Sequence, residues 1–436
     1  VIMEASSHGL EQNRLDGLLY NTGIFTNLSQ DHLDYHKSLK NYLKAKLYLF
    51  ENLVKKRGNV ISDDEIPEFK KIKKITSNKN LNLYSLSDKK NNFQYFSHEF
   101  KGEAQILKII YNSSIHRIKL NLIGKIQLKN ILMAIIAARK SDIDIKKIFK
   151  IIPKIKPVEG RFERIGKIKN KSKVILDYAH TPDALKTCLT NLKEQFPDKK
   201  ISLVFGCGGN RDKDKRAKMG KIADIFSDKI YLTDDNPRFE KSNKIRGDIK
   251  KGVKKQKIYE IPNRAKAISG AIKQLKTGEI LLVAGKGHEK IQDLGVRKIF
   301  FSDKKTILNA IKIKNSTLSD NLKFNIIKEL SLCKKISSKL HLKQARINSR
   351  EIKKDDIFFA IKGKKNDGNK FIGQAFNKKG SLAIVNKINK NNNIGRQIKV
   401  KDSLKFLTES SKIVRQNIDT KIIAITGSCG KTTLKE

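Results

Sequence analysis

The chain has 436 residues, with 93 lysines and arginines against 44 aspartates and glutamates and a formal net charge of +49. Its 38% hydrophobic content can bury real cores, and no run approaches the ~20 apolar residues of a membrane span, so no membrane insertion is expected. Four isolated cysteines (Cys188, Cys207, Cys333, Cys429) form no CxxC pair, which argues against a disulfide framework or a zinc site and for a reducing, cytoplasmic setting.

The charge does not single out nucleic acid. Only 16 of the 93 basic residues are Arg, and the lysines are spread along the chain among Ile and Asn, as in "IFKIIPKIKP". That is compositional drift rather than a binding stripe, so no specific nucleic acid partner is expected.

The opening "VIMEASSHGL" lacks an initiator Met, a basic n-region and a cleavage site, and the chain is expected to begin within a longer protein. Glu4, Asp31, His32, Asp34 and His36 then form a dense set of hard ligands suited to Mg²⁺. Residues 37–50 carry apolar positions at helical spacing, "AQILKIIY" reads as a strand, and "LKNILMAIIAARKS" as a buried helix. From 173 the pattern becomes strand–loop–helix, in "KVILDYAHTPDALKTCLTNLK", "ISLVFGCGGNRDKDKRAKMGKIADIF", "KIYLTDDNPRFE" and "ILLVAGKGHEKIQ". Continuous apolar strands alternating with amphipathic helices predict an α/β fold with a doubly wound parallel sheet. Ligands of such sheets lie at the carboxyl ends of the strands.

A break near 315 precedes short strands in "DIFFAIKG" and "SLAIV" around a helix in "GNKFIGQAFNKKG", with an Asn-rich loop at 387–395. The final "TKIIAITGSCGKTTLKE" opens another strand–loop–helix unit. In "TGSCGKTT", glycines such as Gly430 let backbone N–H groups approach phosphate. Lys431 can reach the β/γ-phosphates, and Thr432 or Thr433 can ligate Mg²⁺. Ile425 stands where the usual loop has Gly, which makes this a shorter variant.

In the middle of the chain Arg161, Arg211 and Arg238 sit at loops. A guanidinium in "DDNPRF" can hold a carboxylate bidentately, which Lys cannot imitate. "GCGGNRDKDKR" suits an anion, and "AGKGHE" offers glycine backbone beside Lys286, His288 and Glu289. Three such loops at successive strand ends point to one ligand cleft.

The segments "EASSHGL", "TNLSQDHLDYH", "DYAHTPDAL", "FGCGGNRDKDKR", "TDDNPR" and "AGKGHE…FSD" together resemble the Mur ligase family over residues 1 to about 310. The likeness is to its diaminopimelate-adding branch. "NSREIKKDDIFFAIKGKKNDGNKFIGQAF" with "ITGSCGKTTLKE" resembles the amino-terminal part of the D-Ala-D-Ala-adding branch, so a fragment of a fusion is expected. The resemblance implies four domains. Residues 1–157 would be a partial parallel-sheet ATPase-type central domain without its own P-loop, and 158–312 a Rossmann-like domain for ATP and diaminopimelate. Residues 313–417 would be a small α/β UDP-sugar domain, and 418–436 the start of a second P-loop domain.

The implied chemistry is ATP-dependent amide formation through an acyl phosphate in peptidoglycan precursor synthesis, by a cytoplasmic monomer. ATP and Mg²⁺ are the implied cofactors, and UDP-MurNAc-dipeptide and meso-diaminopimelate the implied substrates. By resemblance Glu4 and His32 ligate Mg²⁺, and Lys46 is the lysine whose carbamate joins them. Ser6 and Arg14 hold the UDP-MurNAc-dipeptide, and Asn130, Arg161 and Asp177 contact ATP. Gln127 departs from the family pattern near the adenine contact. Arg211, Asp235, Asn236, Arg238, Gly285 and Glu289 line the diaminopimelate pocket. Gly430, Lys431 and Thr432 serve the second nucleotide site, with Ser349 and Arg350 near its UDP-sugar. Two other readings are a folylpolyglutamate synthase-like ligase and a catalytically incomplete binding or scaffold remnant. "DDNPR" and "GCGGNRD" argue against the former. Alone, the chain is expected to lack a complete active site, with 158–310 folding independently and the sheet edge in 1–157 exposed.

Overall fold

A computed structural model describes residues 1–30, 32–87, 93–255, 258–332, 340–363, 366–418 and 423–427. They form two compact units, one of Val1–Gly166, Lys173–Leu275 and Glu279–Lys312, the other of Lys167–Ser172, Lys276–Gly278 and Ile313–Glu436.

The first unit holds three larger sheets. Strands β1 (Tyr20–Phe25), β2 (Val54–Ser62) and β3 (Asn82–Ser85) pair in parallel in that order. This leaves β1 at an edge, beside the exposed Leu19 and Ile24. Strands β4 (Phe93–Lys101), β5 (Ala104–Tyr111) and β6 (Ser114–Leu120) form an antiparallel meander. The expected buried helix runs over Lys125–Arg139 and sets Leu128, Leu132, Met133 and Ile136 into a core with Leu107, Ile109 and Leu120 of the meander. Its first turn takes its acceptors from elsewhere in the chain. Gly124 N donates to Gln195 Oε1 at 2.8 Å and Ile126 N to Asn191 Oδ1 at 3.0 Å, supplying partners that helix starts lack.

The third sheet positions the site. It comprises β7 (Glu163–Arg164), β8 (Lys173–Asp177), β9 (Ile201–Phe205), β10 (Lys229–Leu232), β11 (Ile258–Glu260) and β12 (Ile280–Ala284). The order is β11-β10-β9-β12-β8-β7, parallel except for β7. Every residue of β9 and β12 is buried, as expected of strands covered on both faces. The chain steps outward from β9 to β10 and β11, then returns to lay β12 on the other side of β9. The topological switch therefore lies between β9 and β12, where the carboxyl ends open a crevice. The helix Pro182–Gln195 starts with Thr181 accepting from Ala184 N and Pro at its first position, a strong start signal.

One expectation is corrected here. "ILLVAGKGHEKIQ" does not continue into a helix but into a hairpin of β13 (Ile291–Asp293) and β14 (Lys298–Phe300). The reason is local: Gly287 and Gly295 take positive φ and break any helical run, and Gln292 alternates inward between more exposed neighbours. In the second unit β15 (Ala345–Arg346), β16 (Ile357–Phe359), β17 (Leu382–Val385) and β18 (Gln397–Lys399) form a parallel sheet in sequence order. "DIFFAIKG" and "SLAIV" supply β16 and β17, and a short helix Ile372–Asn377 lies between them in the chain. Residues 423–427 carry no strand, and Gly430, Lys431 and Thr432 lie outside the described residues.

Candidate functional site at the strand carboxyl ends

The amino-terminal constellation gathers histidines rather than carboxylates. His8 packs against His32, Tyr35 and His36 with ring centroids 4.8, 4.2 and 5.2 Å apart, and His36 stacks on Tyr42 at 5.0 Å. His32 is exposed on a left-handed turn, Glu4 and Arg14 are exposed, and Asp31 lies outside the described residues. Ser6 caps the helix Ser7–Glu11, accepting from Gly9 N at 3.1 Å. Lys46, half-buried, holds its ammonium 5.0 Å over the Tyr42 ring. Among the described residues no three His, Cys, Asp or Glu side chains come together as a metal-binding group.

His36 is the buried member. Its Nε2 lies 2.9 Å from Ser7 Oγ, and its Nδ1 is 2.6 Å from Glu11 but out of line for a hydrogen bond. Burial holds its pKa below the ordinary 6.5, and His8 and Lys46 push the same way against the attraction of Glu11. The unfolded chain therefore takes up a proton at a higher pH than the folded one. Stability present above about pH 6.5 is expected to fall as pH drops toward the folded value. Urea midpoints at about pH 7.5 and 5.5 check this, and His36→Asn should flatten the difference. An unchanged slope in that variant would assign the loss to other groups.

In the crevice, Asp177 ends β8 with its carboxylate buried and enclosed: Phe162 N and Ala179 N each donate to it at 2.7 Å. Burial pushes its pKa above the ordinary carboxylate value, against those donors and the nearby Arg161. Asp177 thus fixes the loop that carries Arg161, whose guanidinium lies 4.5 Å over the Tyr178 ring. Gln127 reaches the Arg161 carbonyl at 3.5 Å, which brings the helix bearing the exposed Asn130 to the same loop. Gly160 touches the Gly287–His288 backbone so closely that a Cβ would lie 2.3 Å from His288 N. Tyr178 in turn faces His180 and His288, and its hydroxyl donates to Glu289 at 3.4 Å.

From the end of β10 comes the loop of Asp235, Asn236 and Arg238. Asp235 is buried against Gly285, where a Cβ would lie 2.8 Å from Asp235 Oδ2, so only glycine fits there without displacement. Arg238 has φ +51°, donates to the Gly209 carbonyl at 2.7 Å and lies 3.8 Å from Asp293. Arg211 is exposed on the loop after β9. Gln30, two residues before His32, donates to Asp212 of that loop at 3.1 Å. The histidine turn and the glycine-rich loop therefore meet within the first unit.

Lys286, Arg216 and Arg264 are buried as well, and of these the sequence singles out only Lys286, in a loop assigned to the ligand cleft. Lys286 is fully buried and donates to Asn236, Glu289 and the Ile291 carbonyl. Arg216 donates to Glu240, Asp248 and the Gly208 carbonyl, and Arg264 pairs with Asp303. Burial pushes the Cys207 thiol up to about 12 and Cys188 well above its ordinary value, which removes both as nucleophiles. In the second unit Ser349 donates to Gln374 at 2.6 Å, and Arg350 is exposed.

Fold and site together define an α/β protein with a polar crevice at a topological switch, lined by Arg and Glu side chains on glycine-braced loops. Residues 1–138 match the sequence profile of the Mur ligase middle domain, and residues 160–287 that of the Mur ligase glutamate ligase domain. A UDP-N-acetylmuramoyl-L-alanyl-D-glutamate–2,6-diaminopimelate ligase of Rickettsia montanensis is 40% identical over 314 residues, covering 72% of this chain and 64% of that protein. The Rickettsia felis protein of that name is 36% identical, covering 71% of this chain and 67% of its own length. A MurF ligase from Thermotoga maritima, solved with ADP, superposes with a TM-score of 0.53 at 16% identity over 72% of this chain and 66% of its own, a likeness of fold. The chain belongs to the Mur ligase family. It spans 64% of the length of the first of these relatives.

Proposed function

We propose that residues 1–312 carry the amino-acid-adding portion of an ATP-dependent ligase that joins meso-diaminopimelate to UDP-MurNAc-L-Ala-D-Glu. The observation that carries the reading is the convergence of Arg161, Asn236, Arg238 and Glu289 on one crevice. Support also comes from the relatives named for that reaction. In this reading ATP transfers its γ-phosphoryl group to the substrate carboxylate and leaves as ADP. The amine of diaminopimelate then attacks the acyl carbon, phosphate departs, and the nitrogen loses a proton. Two anions must approach each other, so cationic side chains must stabilise the charge that builds up. Arg161 is assigned to phosphate, Asn130 to adenine, and Arg14 and Ser6 to the UDP-sugar substrate.

Asp177 is assigned to the ribose side, with its carboxylate held by backbone donors. Mg²⁺ usually keeps several waters and takes one or two protein ligands beside substrate phosphates. It is therefore treated as arriving with ATP, near Glu4, His32 and a carbamylated Lys46. Arg211, Asp235, Asn236, Arg238, Gly285 and Glu289 are assigned to diaminopimelate, whose second carboxylate and amine match a guanidinium and a carboxylate. Residues 313–436 are read, on their sequence resemblance, as the start of a D-Ala-D-Ala-adding ligase, with Gly430, Lys431 and Thr432 at its nucleotide. The reading places the protein in the cytoplasm as a monomer.

Titration calorimetry of the chain with meso-diaminopimelate and with L-lysine tests the amino-acid assignment: the former is expected to bind much the more tightly, with L-lysine weak but measurable. Equal affinity, or none with a folded sample, would overturn it. Phosphate release from ATP that requires both UDP-MurNAc-dipeptide and diaminopimelate tests the reaction and separates it from a binding remnant.

A further inference from the structure

A lysine directly after a glycine at a strand end invites assignment to an anionic ligand. Lys286 does not fit that role. An ammonium has three protons, and Lys286 places all three: on Glu289 Oε2 at 2.8 Å, on Asn236 Oδ1 at 3.0 Å and on the Ile291 carbonyl at 2.7 Å. With its side chain wholly buried, it has no proton left for a ligand.

The consequences pass outward through its partners. Asn236 Oδ1 also accepts from Asp293 N at 3.0 Å, which fixes the amide so that Nδ2 points to Glu289 Oε2 at 3.2 Å. Glu289 thus has one oxygen held by two donors, while Oε1 receives the Tyr178 hydroxyl at 3.4 Å, a long contact. Oε1 therefore keeps acceptor capacity. Asp293, anchored by the same amide, is the residue to which Arg238 is tied through its backbone N–H at 3.1 Å. The Asn236 loop, the Glu289 loop and the first residue of β13 thus meet at one buried ammonium.

We propose that Lys286 is a positioning residue that aims Glu289 Oε1 at the ammonium group of the amino-acid substrate, acting through Asn236 and Glu289 rather than by touching the ligand. This rests on the amino-acid reading of the crevice. A buried cation held by three acceptors is rigid, and a preorganised acceptor binds an ammonium without first losing side-chain freedom. By analogy with the outer partners that orient metal ligands, Lys286→Met is expected to weaken diaminopimelate binding by roughly 10- to 100-fold.

The test uses the whole chain and a double-mutant cycle. Affinity for meso-diaminopimelate is measured by calorimetry for the wild type, Lys286→Met, Glu289→Gln and the double variant. If Lys286 acts through Glu289, the double variant binds no worse than the weaker single one. Multiplying losses, or full affinity in Lys286→Met, would overturn the proposal. Should Lys286→Met fail to fold, Lys286→Arg keeps the charge but cannot reproduce the tripod, and the same non-additivity is expected of it. Hydrogen exchange of the Asn236 side-chain amide and of Asp293 N–H needs no ligand, and both are expected to lose protection in the Lys286 variant. Unchanged protection overturns the positioning role. A wild type that binds no diaminopimelate while protection still depends on Lys286 sinks the substrate assignment and leaves the positioning intact.

Discussion

Arg264→Met is expected to lower the stability of the first unit by about 3–5 kcal/mol, the usual cost of stranding one partner of a buried ion pair. Arg264 and Asp303 are both fully buried, and the pair is bidentate, with Nε to Oδ1 at 2.8 Å and Nη2 to Oδ2 at 2.7 Å. Nη2 also donates to the Ala284 carbonyl at 3.0 Å, the last residue of β12. Removing the guanidinium leaves Asp303 without its counter-charge and that carbonyl without its side-chain donor, one residue before Gly285. Urea unfolding of the single variant should show the loss as a lower midpoint at unchanged slope. Arg264→Met combined with Asp303→Leu should recover most of it, because apolar groups of similar volume often replace a buried pair at little cost. A single-variant loss below about 1 kcal/mol would mean that water reaches the pair, as for exposed ion pairs.

These buried charges mark the boundary of what the sequence made legible. The doubly wound sheet was readable because β8, β9, β10 and β12 are near-continuous apolar runs separated by amphipathic helices. The crevice was readable because its loops carry glycines and arginines at strand ends. Arg216 and Arg264 were not, and for Lys286 only its loop was, since burial leaves no trace in a chain so rich in lysine. Both arginines are paired across the fold, Arg216 with Glu240 and Asp248 and Arg264 with Asp303, whereas Lys286 pairs with Glu289 three residues on. Arginine is scarce, 16 of the 93 basic residues, but scarcity does not separate a buried arginine from an exposed one, and Arg216 and Arg264 lie in helices rather than in the loops. The hairpin after β12 was missed for another reason. Three-residue strands are too short for their alternation to outweigh the repeating order of the units before them.

Arg238→Met is expected to abolish discrimination between meso-diaminopimelate and L-lysine, which differ by one carboxylate. The guanidinium gives one Nη1 contact to the Gly209 carbonyl and has only a long 3.8 Å approach to Asp293, so part of its five-donor fork remains for a ligand. Truncating one partner of a buried, hydrogen-bonded charge pair costs about 2–5 kcal/mol, or roughly 30- to 4,000-fold in affinity for diaminopimelate. Lysine lacks the group that the fork would hold, so its weak affinity should hardly change. Arg238→Lys restores the charge without the fork, and its affinity is expected to fall between those of the wild type and the Met variant. Calorimetric titration of all three proteins with both amino acids separates two roles. A loss confined to diaminopimelate means that Arg238 reads the second carboxylate. An equal proportional loss for both ligands would mean that its contribution is to hold the Gly208–Gly209 loop against the Asn236–Arg238 loop, where Gly209 already approaches the Pro237 carbonyl too closely to accept a Cβ.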